Sequence, residues 1–183
     1  ALPISLYSYG PESTFESMGV QAVADAIEQL GNHRITITGG EPLLQELAII
    51  ELIDELTRRN ARYDFNIETN GTIIPSFHRD NVWFTYDYKT PSSLAEDAMN
   101  LDIFKVATPA DIIKFVVGSM QDLDRMDEIL KTYPTDAQIF VSPVWGNIEG
   151  ATIVEYMKAH NWQNVRFQLQ IHKFIWDPDA KGV

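Results

Sequence analysis

One segment of the chain combines a short apolar run, a glycine pair and a proline, namely Arg34-Ile35-Thr36-Ile37-Thr38-Gly39-Gly40-Glu41-Pro42-Leu43-Leu44-Gln45. Its first residues form a short β-branched run, which is typical of a strand. The two glycines let the backbone turn sharply and approach a ligand closely, and Pro42 suits the first turn of a helix. A strand that ends in a glycine turn at a helix N-terminus predicts a ligand-binding corner, although a Gly-Gly pair also marks many ordinary loops.

Strands and helices alternate along the rest of the chain. The hydrophobic spacing predicts helices over about residues 13–30, 42–59, 121–132 and 150–160, and a helical stretch that begins at Pro91. The predicted strands lie at about 34–38, 63–68, 82–88, 111–117, 138–141 and 165–171. This alternation favours parallel βαβ units whose right-handed crossovers place the helices on the outside.

Six predicted strands suggest an α/β fold of the incomplete (β/α)6 barrel type, a partial TIM barrel with parallel strands. A doubly wound open sheet has the same local pattern, so periodicity alone leaves both architectures open. With 183 residues, the chain is long enough to bury a core as one domain spanning residues 1–183.

The composition of the chain excludes several classes of binding partner. The formal net charge of −12 argues against a nucleic-acid surface, because phosphate contacts need clustered Lys and Arg. No apolar run is long enough to predict a membrane span, and the first residues lack the pattern of a signal peptide. A small molecule is the expected partner. The absence of cysteine excludes a disulfide framework and fits a cytoplasmic protein.

Residues suited to bind a ligand collect at the carboxyl ends of the predicted strands, where parallel α/β proteins have their binding sites. They are Gly39-Gly40-Glu41, Glu68-Thr69-Asn70-Gly71, Asp87-Tyr88-Lys89, Lys114, Ser142-Pro143 and Gln170-Ile171-His172-Lys173. Glu68 is a candidate acceptor for N–H groups of a ligand, because a carboxylate is costly to bury without donors.

Several of these residues have plainer interpretations. Asn70-Gly71 is a common tight-turn signal, and Asp87 and Lys89 are spaced to form a simple ion pair. A lone histidine such as His172 is more often structural or at the surface than catalytic.

Taken in order, these motifs resemble the 7-carboxy-7-deazaguanine synthase family of radical S-adenosylmethionine (SAM) enzymes, in what looks like its archaeal form. The matching residues are Thr38–Gln45, Glu68–Thr72, Asp87–Ser93, Lys114–Val117 and Gln170–Lys173. The first motif is shared by the superfamily, whereas the ordered set and the His-Lys ending are more specific. The resemblance implies a radical-SAM-type partial barrel. It also implies conversion of 6-carboxy-5,6,7,8-tetrahydropterin to 7-carboxy-7-deazaguanine, for queuosine or archaeosine, with SAM, a [4Fe-4S] cluster and Mg2+.

The resemblance also implies roles for individual residues, although it assigns no catalytic residue in this chain. It places the methionyl end of SAM against Gly39, Gly40 and Glu41, and it places Asp87, Lys89 and Ser142 along the SAM side of the pocket. It assigns the pterin to Glu68, Gln170 and His172, with Gly40. It further implies a homodimer and an electron donor such as flavodoxin or ferredoxin.

One departure from the family is large. The family places a Cys-x3-Cys-x2-Cys-Asp-Thr loop before the first long helix, with its Thr near Mg2+, and this chain contains no cysteine. The cluster and Mg2+ are therefore expected only if residues upstream of Ala1 supply their ligands. A fragment of a longer enzyme is favoured over a natural variant without a cluster, and the chain by itself is predicted to be catalytically inactive.

Two other functions remain open at this point. A glycyl-radical-enzyme activase shares the Gly-Gly-Glu-Pro and Asp-x-Lys features. A non-catalytic module that binds SAM or a nucleoside would use the same scaffold.

Overall fold

The computed structural model describes residues 2–5 and 15–178. Its strands are β1 (Leu2–Ser5), β2 (Phe15–Met18), β3 (Arg34–Ile37), β4 (Asp64–Thr69), β5 (Val82–Tyr88), β6 (Ile112–Val117), β7 (Gln138–Pro143) and β8 (Val165–Phe167). Its α-helices are α1 (Val20–Leu30), α2 (Glu46–Arg59), α3 (Ile103–Val106), α4 (Met120–Thr132), α5 (Gly150–Ala159) and α6 (His172–Ile175). Short 3-10 helices cover Pro42–Gln45, Pro91–Ser93 and Glu96–Ala98.

The order of the strands distinguishes the two predicted architectures. Strands β3 to β8 form a six-stranded sheet in which the spatial order follows the chain order. The pairs β3–β4, β6–β7 and β7–β8 are parallel. In a doubly wound sheet, the spatial order of the strands would reverse at a switch point. The consecutive order confirms the prediction of an incomplete (β/α)6 barrel type, whereas β1 and β2 form a separate antiparallel pair.

The chain divides into two compact units. The first comprises Ala1–Thr69 with Pro75–Thr85, and the second comprises Asn70–Ile74 with Tyr86–Val183. The boundary falls within β5. A single domain over residues 1–183 stays a prediction.

In the first unit, α1 and α2 pack against each other. The second of these helices turns Ile49, Ile53 and Leu56 inward, and β4 contributes Phe65 and Ile67 to the buried residues. These side chains form the apolar core of the first unit.

In the second unit, β6 has two distinct faces. Ile113, Phe115 and Val117 are fully buried, whereas the alternate residues Ile112, Lys114 and Val116 are only half-buried. Helix α4 packs on β6. Because successive side chains of a strand point to opposite faces, one face belongs to the apolar core and the other remains available for polar side chains.

Two predicted elements were wrong in extent. Residues 15–18 form a strand rather than the start of a helix, and α1 begins only at Val20, where the helical spacing of apolar residues begins. The last strand ends at Phe167 instead of residue 171. Its ladder closes where Gln168 N donates to Val141 O at 2.9 Å, and the chain then turns as Lys173 N donates to Gln170 O.

Among residues 2–5 and 15–178, no helix is both long and apolar enough to cross a lipid bilayer.

We expect Ile113→Ala to lower the free energy of unfolding by about 2–5 kcal/mol, because it leaves a cavity in place of a fully buried side chain. Ile112→Ala is the matched control on the opposite face of β6, and we expect it to cost about 1 kcal/mol because that side chain is half-buried. Urea unfolding of both variants measures the difference. Equal costs would contradict the assignment of the two faces.

Candidate functional site

In the first unit, the corner after β3 is built by two glycines with positive φ. Gly39 has φ +96° and Gly40 has φ +59°, a region that residues with a Cβ rarely adopt. A Cβ added to Gly40 would meet no described atom within 4 Å, so packing is not the reason for glycine there. Both glycines are exposed. The backbone at this corner is therefore open to close approach by a ligand.

The carboxylate of Glu41 is held in place next to the glycine corner. Its Oε1 atom accepts a hydrogen bond from Leu43 N at 3.0 Å, which caps the 3-10 helix Pro42–Gln45. The same oxygen accepts from Thr69 Oγ1 at 2.9 Å. A half-buried carboxylate with a defined orientation is suited to bind an ammonium group.

Glu68 lies near the end of β4, on the face opposite to Phe65 and Ile67. The side chain is exposed, whereas Thr69, the next residue, is buried. Water therefore solvates the Glu68 carboxylate. The expectation that this residue needs hydrogen-bond donors to offset its burial is wrong. Its role toward a substrate stays a prediction.

In the second unit, the Asn-Gly signal forms the turn that its sequence indicates. Gly71 has φ +73°. Asn70 Oδ1 accepts hydrogen bonds from Thr72 N at 3.0 Å and from Thr72 Oγ1 at 2.7 Å. This local network accounts for Asn70 and Gly71 without any ligand.

Asp87 and Lys89 form an ion pair with each other. About one third of each side chain is exposed, 37% for Asp87 and 31% for Lys89. The structure thus confirms that the two residues form an ion pair. A contribution of the two charges to SAM binding stays a prediction.

A buried carboxylate that the sequence analysis missed anchors the segment after Lys89. Asp122 is fully buried in the first turn of α4, where Oδ2 accepts from Gly118 N at 2.7 Å and Oδ1 accepts from Ser92 N at 2.9 Å. Thr90 Oγ1 also donates to Val116 O at 3.1 Å. The pattern Ser119-x-x-Asp122 is similar to a capping box and was the available signal, since Asp122 N donates to Ser119 Oγ.

Several opposing effects act on the pKa of Asp122. Burial raises it, but hydrogen bonds from the N–H groups of Gly118 and Ser92 and from the hydroxyls of Ser92 and Ser119 outweigh burial. The net pKa lies below the usual value of the carboxyl group. Asp122 therefore stays charged and keeps the loop after β5 attached to the start of α4.

Ser142 lies on β7 beside Val116 of β6. The side chain is buried, and its hydroxyl has no hydrogen-bond partner among the residues that the structure describes. A buried hydroxyl without a partner is unfavourable, which is a reason to expect a ligand or a water molecule nearby.

Gln170 and His172 follow the last strand. Gln170 is half-buried, and its carbonyl accepts the turn hydrogen bond described above. His172 is exposed at the start of α6. The structure therefore leaves the imidazole accessible but shows no contact that defines its chemistry.

The predicted site residues form two sets. Glu41 and Thr69 are in contact in the first unit, where Gly39, Gly40 and Glu68 also lie. Asp87 and Lys89 are in contact in the second unit, where Ser142, Gln170 and His172 lie.

The residues of this chain do not fit an iron–sulfur cluster. The chain has no cysteine, and thiolates are the usual ligands of such clusters. Within residues 2–5 and 15–178, no group of three or more His, Asp or Glu side chains is placed to hold a metal ion. The glycine corner with Glu41, by contrast, offers an exposed backbone and an oriented carboxylate.

Sequence relatives decide the family. The 7-carboxy-7-deazaguanine synthase of Clostridium acetobutylicum is 38% identical over 171 residues, which cover 91% of this chain and 76% of that protein. The synthase of Leptospira interrogans is 36% identical, covering 97% and 78% of the two chains. The chain belongs to the 7-carboxy-7-deazaguanine synthase family. The synthase of Methanospirillum hungatei is also 36% identical, and the match covers 64% of its length. No family model matches the chain.

A solved structure supports the fold. A radical SAM methyltransferase from Sphaerobacter thermophilus superimposes with a TM-score of 0.55 at 11% sequence identity, covering 82% of this chain and 55% of that one. At this identity the likeness concerns the fold alone. An archaeal form of the family stays a prediction.

We expect Asp122→Asn to destabilise the protein by about 1–3 kcal/mol near pH 7, because one amide oxygen cannot accept from both N–H groups. A carboxyl with a lowered folded-state pKa stabilises the protein above its unfolded-state pKa and loses that effect as the pH falls. The stability difference between wild type and variant should therefore shrink below about pH 4.

Urea unfolding from pH 7 to pH 3 measures this difference. Asp97→Asn, at an exposed position of the same unit, is the control and should change stability little. A difference that is constant over this pH range would contradict the role given to the Asp122 carboxylate.

Proposed function

We propose that this chain acts in 7-carboxy-7-deazaguanine synthesis, the activity named for its relatives, and that Gly39, Gly40 and Glu41 bind the methionyl end of SAM. The observation that carries the proposal is the Glu41 carboxylate, held by Leu43 N and Thr69 Oγ1 next to an open glycine corner. The substrate would be 6-carboxy-5,6,7,8-tetrahydropterin.

The chemistry of the corner suits a zwitterion. The Glu41 carboxylate attracts the ammonium group, and the exposed backbone at Gly39 and Gly40 admits a ligand that a side chain would obstruct. In this family SAM is the source of the radical that starts the reaction. The part played by the residues of this chain is to bind and orient it.

The charged pair and the unused hydroxyl of the second unit extend this proposal. Asp87 and Lys89 offer one charge of each sign, which suits a zwitterion, and their side chains can also hydrogen-bond the hydroxyls of a ribose. Ser142 has a hydroxyl without a partner in the described part of the chain. We assign these three residues to SAM.

The pterin would contact Glu68, Gln170 and His172, with Gly40. An exposed carboxylate such as Glu68 accepts hydrogen bonds from the ring N–H groups of a pterin. A half-buried amide and an exposed imidazole supply further donors and acceptors at Gln170 and His172.

This proposal includes no step at an iron–sulfur cluster or Mg2+, because the chain has no cysteine and residues 2–5 and 15–178 contain no group of three or more metal-ligating side chains. The chain by itself is expected to bind SAM without cleaving it reductively. A homodimer, a flavodoxin or ferredoxin as electron donor, and a cytoplasmic location belong to the same proposal.

A non-catalytic module that binds SAM or a nucleoside is the second candidate. A module of this kind needs only the glycine corner and the oriented Glu41 carboxylate that the structure shows. Binding of the pterin distinguishes the two candidates, because a module of that kind has no need to recognise it. Pterin binding would also separate the synthase from an activase that acts on a protein glycine.

We expect Glu41→Gln to weaken SAM binding at least about tenfold, because the amide cannot pair with the ammonium charge. Glu51→Gln removes the same charge from an exposed position on α2 and should leave the affinity unchanged. Isothermal titration calorimetry with SAM measures both. Equal affinities for the two variants would refute Gly39-Gly40-Glu41 as the SAM site.

We expect Glu68→Gln and His172→Ala each to weaken binding of 6-carboxy-5,6,7,8-tetrahydropterin about tenfold, through loss of one hydrogen bond to a charged or polar ring group. His78→Ala, at an exposed position of the loop after β4, is the control for the histidine. Fluorescence titration under anaerobic conditions measures the affinity. Wild-type affinity in both variants would rule out these contacts, and absence of pterin binding by the wild type would favour the non-catalytic module.

A further inference from the structure

Thr69 is a buried polar residue on the apolar face of β4. It follows Phe65 and Ile67 in the alternation of the strand, and only 2% of its surface is exposed. A hydroxyl in such surroundings is costly unless it forms a hydrogen bond. Its hydroxyl donates to Glu41 Oε1 at 2.9 Å, across 28 positions of sequence.

The hydrogen bonds from Leu43 N and Thr69 Oγ1 connect the Glu41 carboxylate to different parts of the first unit. Leu43 N belongs to the 3-10 helix that starts at the next residue, so this hydrogen bond moves together with the corner. Thr69 belongs to the neighbouring strand of the sheet, and β4 pairs with β3. The hydroxyl of Thr69 therefore fixes the carboxylate relative to the sheet, which the local hydrogen bond cannot do.

We propose that Thr69 is a positioning residue that orients the Glu41 carboxylate for the ammonium group of SAM. This inference rests on the proposed SAM site. A carboxylate that is already oriented loses less conformational freedom when the ligand binds, so more of the interaction appears as affinity. Thr69 itself touches neither SAM nor the substrate in this proposal.

The proposal has a consequence that a purely structural role lacks. Thr69 acts through Glu41, and Glu41 acts on the amino-acid end of SAM. Loss of the Thr69 hydroxyl should therefore lower the affinity only for ligands that carry the amino-acid end of SAM. 5′-Methylthioadenosine has the adenosine and the thioether but no ammonium or carboxylate group, so its affinity should be independent of Thr69.

The experiment compares SAM and 5′-methylthioadenosine by isothermal titration calorimetry with the full chain. Thr69→Val keeps the shape of the side chain and removes the hydroxyl, and we expect it to weaken SAM binding about tenfold, as for loss of one hydrogen bond to a charged group. Thr69→Ser restores the hydroxyl and should restore most of the SAM affinity. Binding of 5′-methylthioadenosine should stay within about twofold of wild type in both variants.

Two further variants complete the design. Thr57→Val removes another hydroxyl of the first unit, one that accepts from Asn81 Nδ2 at 3.1 Å, and should leave the affinity for both ligands unchanged. In a Glu41→Gln background, Thr69→Val should cause no further loss of SAM affinity, because the group that it orients has already been altered.

The outcomes separate this inference from the proposed site. Unchanged SAM affinity in Thr69→Val, with normal binding by the wild type, overturns the inference alone. Equal weakening of both ligands assigns Thr69 to general stability and also overturns it. If the wild type does not bind SAM but binds 5′-methylthioadenosine, the amino-acid end is not recognised at Glu41, and both proposals fail.

Discussion

The structure is organised around the burial of one face of strands such as β4 and β6. Ile113, Phe115 and Val117 of β6 are fully buried, and α4 packs on the same strand. The strands of parallel sheets are usually apolar on both faces, but β6 places Lys114 between its buried residues. This alternation provides a rigid support with an apolar core on one side and polar groups on the other.

Buried polar contacts help to hold the segments that follow the strands. Asp122 fixes the segment after β5 to the start of α4, and Thr69 fixes Glu41 to β4. Both contacts join residues that are at least 28 positions apart in sequence. Polar groups that are satisfied in this way have defined positions, as a binding site requires, because leaving them unpaired would be costly.

The accuracy of the sequence-based predictions followed the range of the interactions concerned. The strand over residues 82–88 was predicted with its observed bounds, since β-branched and aromatic residues carry a local signal. The start of the first helix was wrong because residues 15–18 pair with residues 2–5, and no local pattern shows a partner strand. Thr69 was part of a recognised motif, yet its hydrogen bond to Glu41 was invisible in the sequence.

The alternation of strands and helices, the glycine corner and the family could all be predicted from the sequence alone. These features depend on local conformational preference and on the order of motifs. The consecutive strand order, the exposure of Glu68 and the burial of Asp122 became visible only in the folded protein. These properties arise from contacts between distant parts of the chain, and such contacts exist only after the chain has folded.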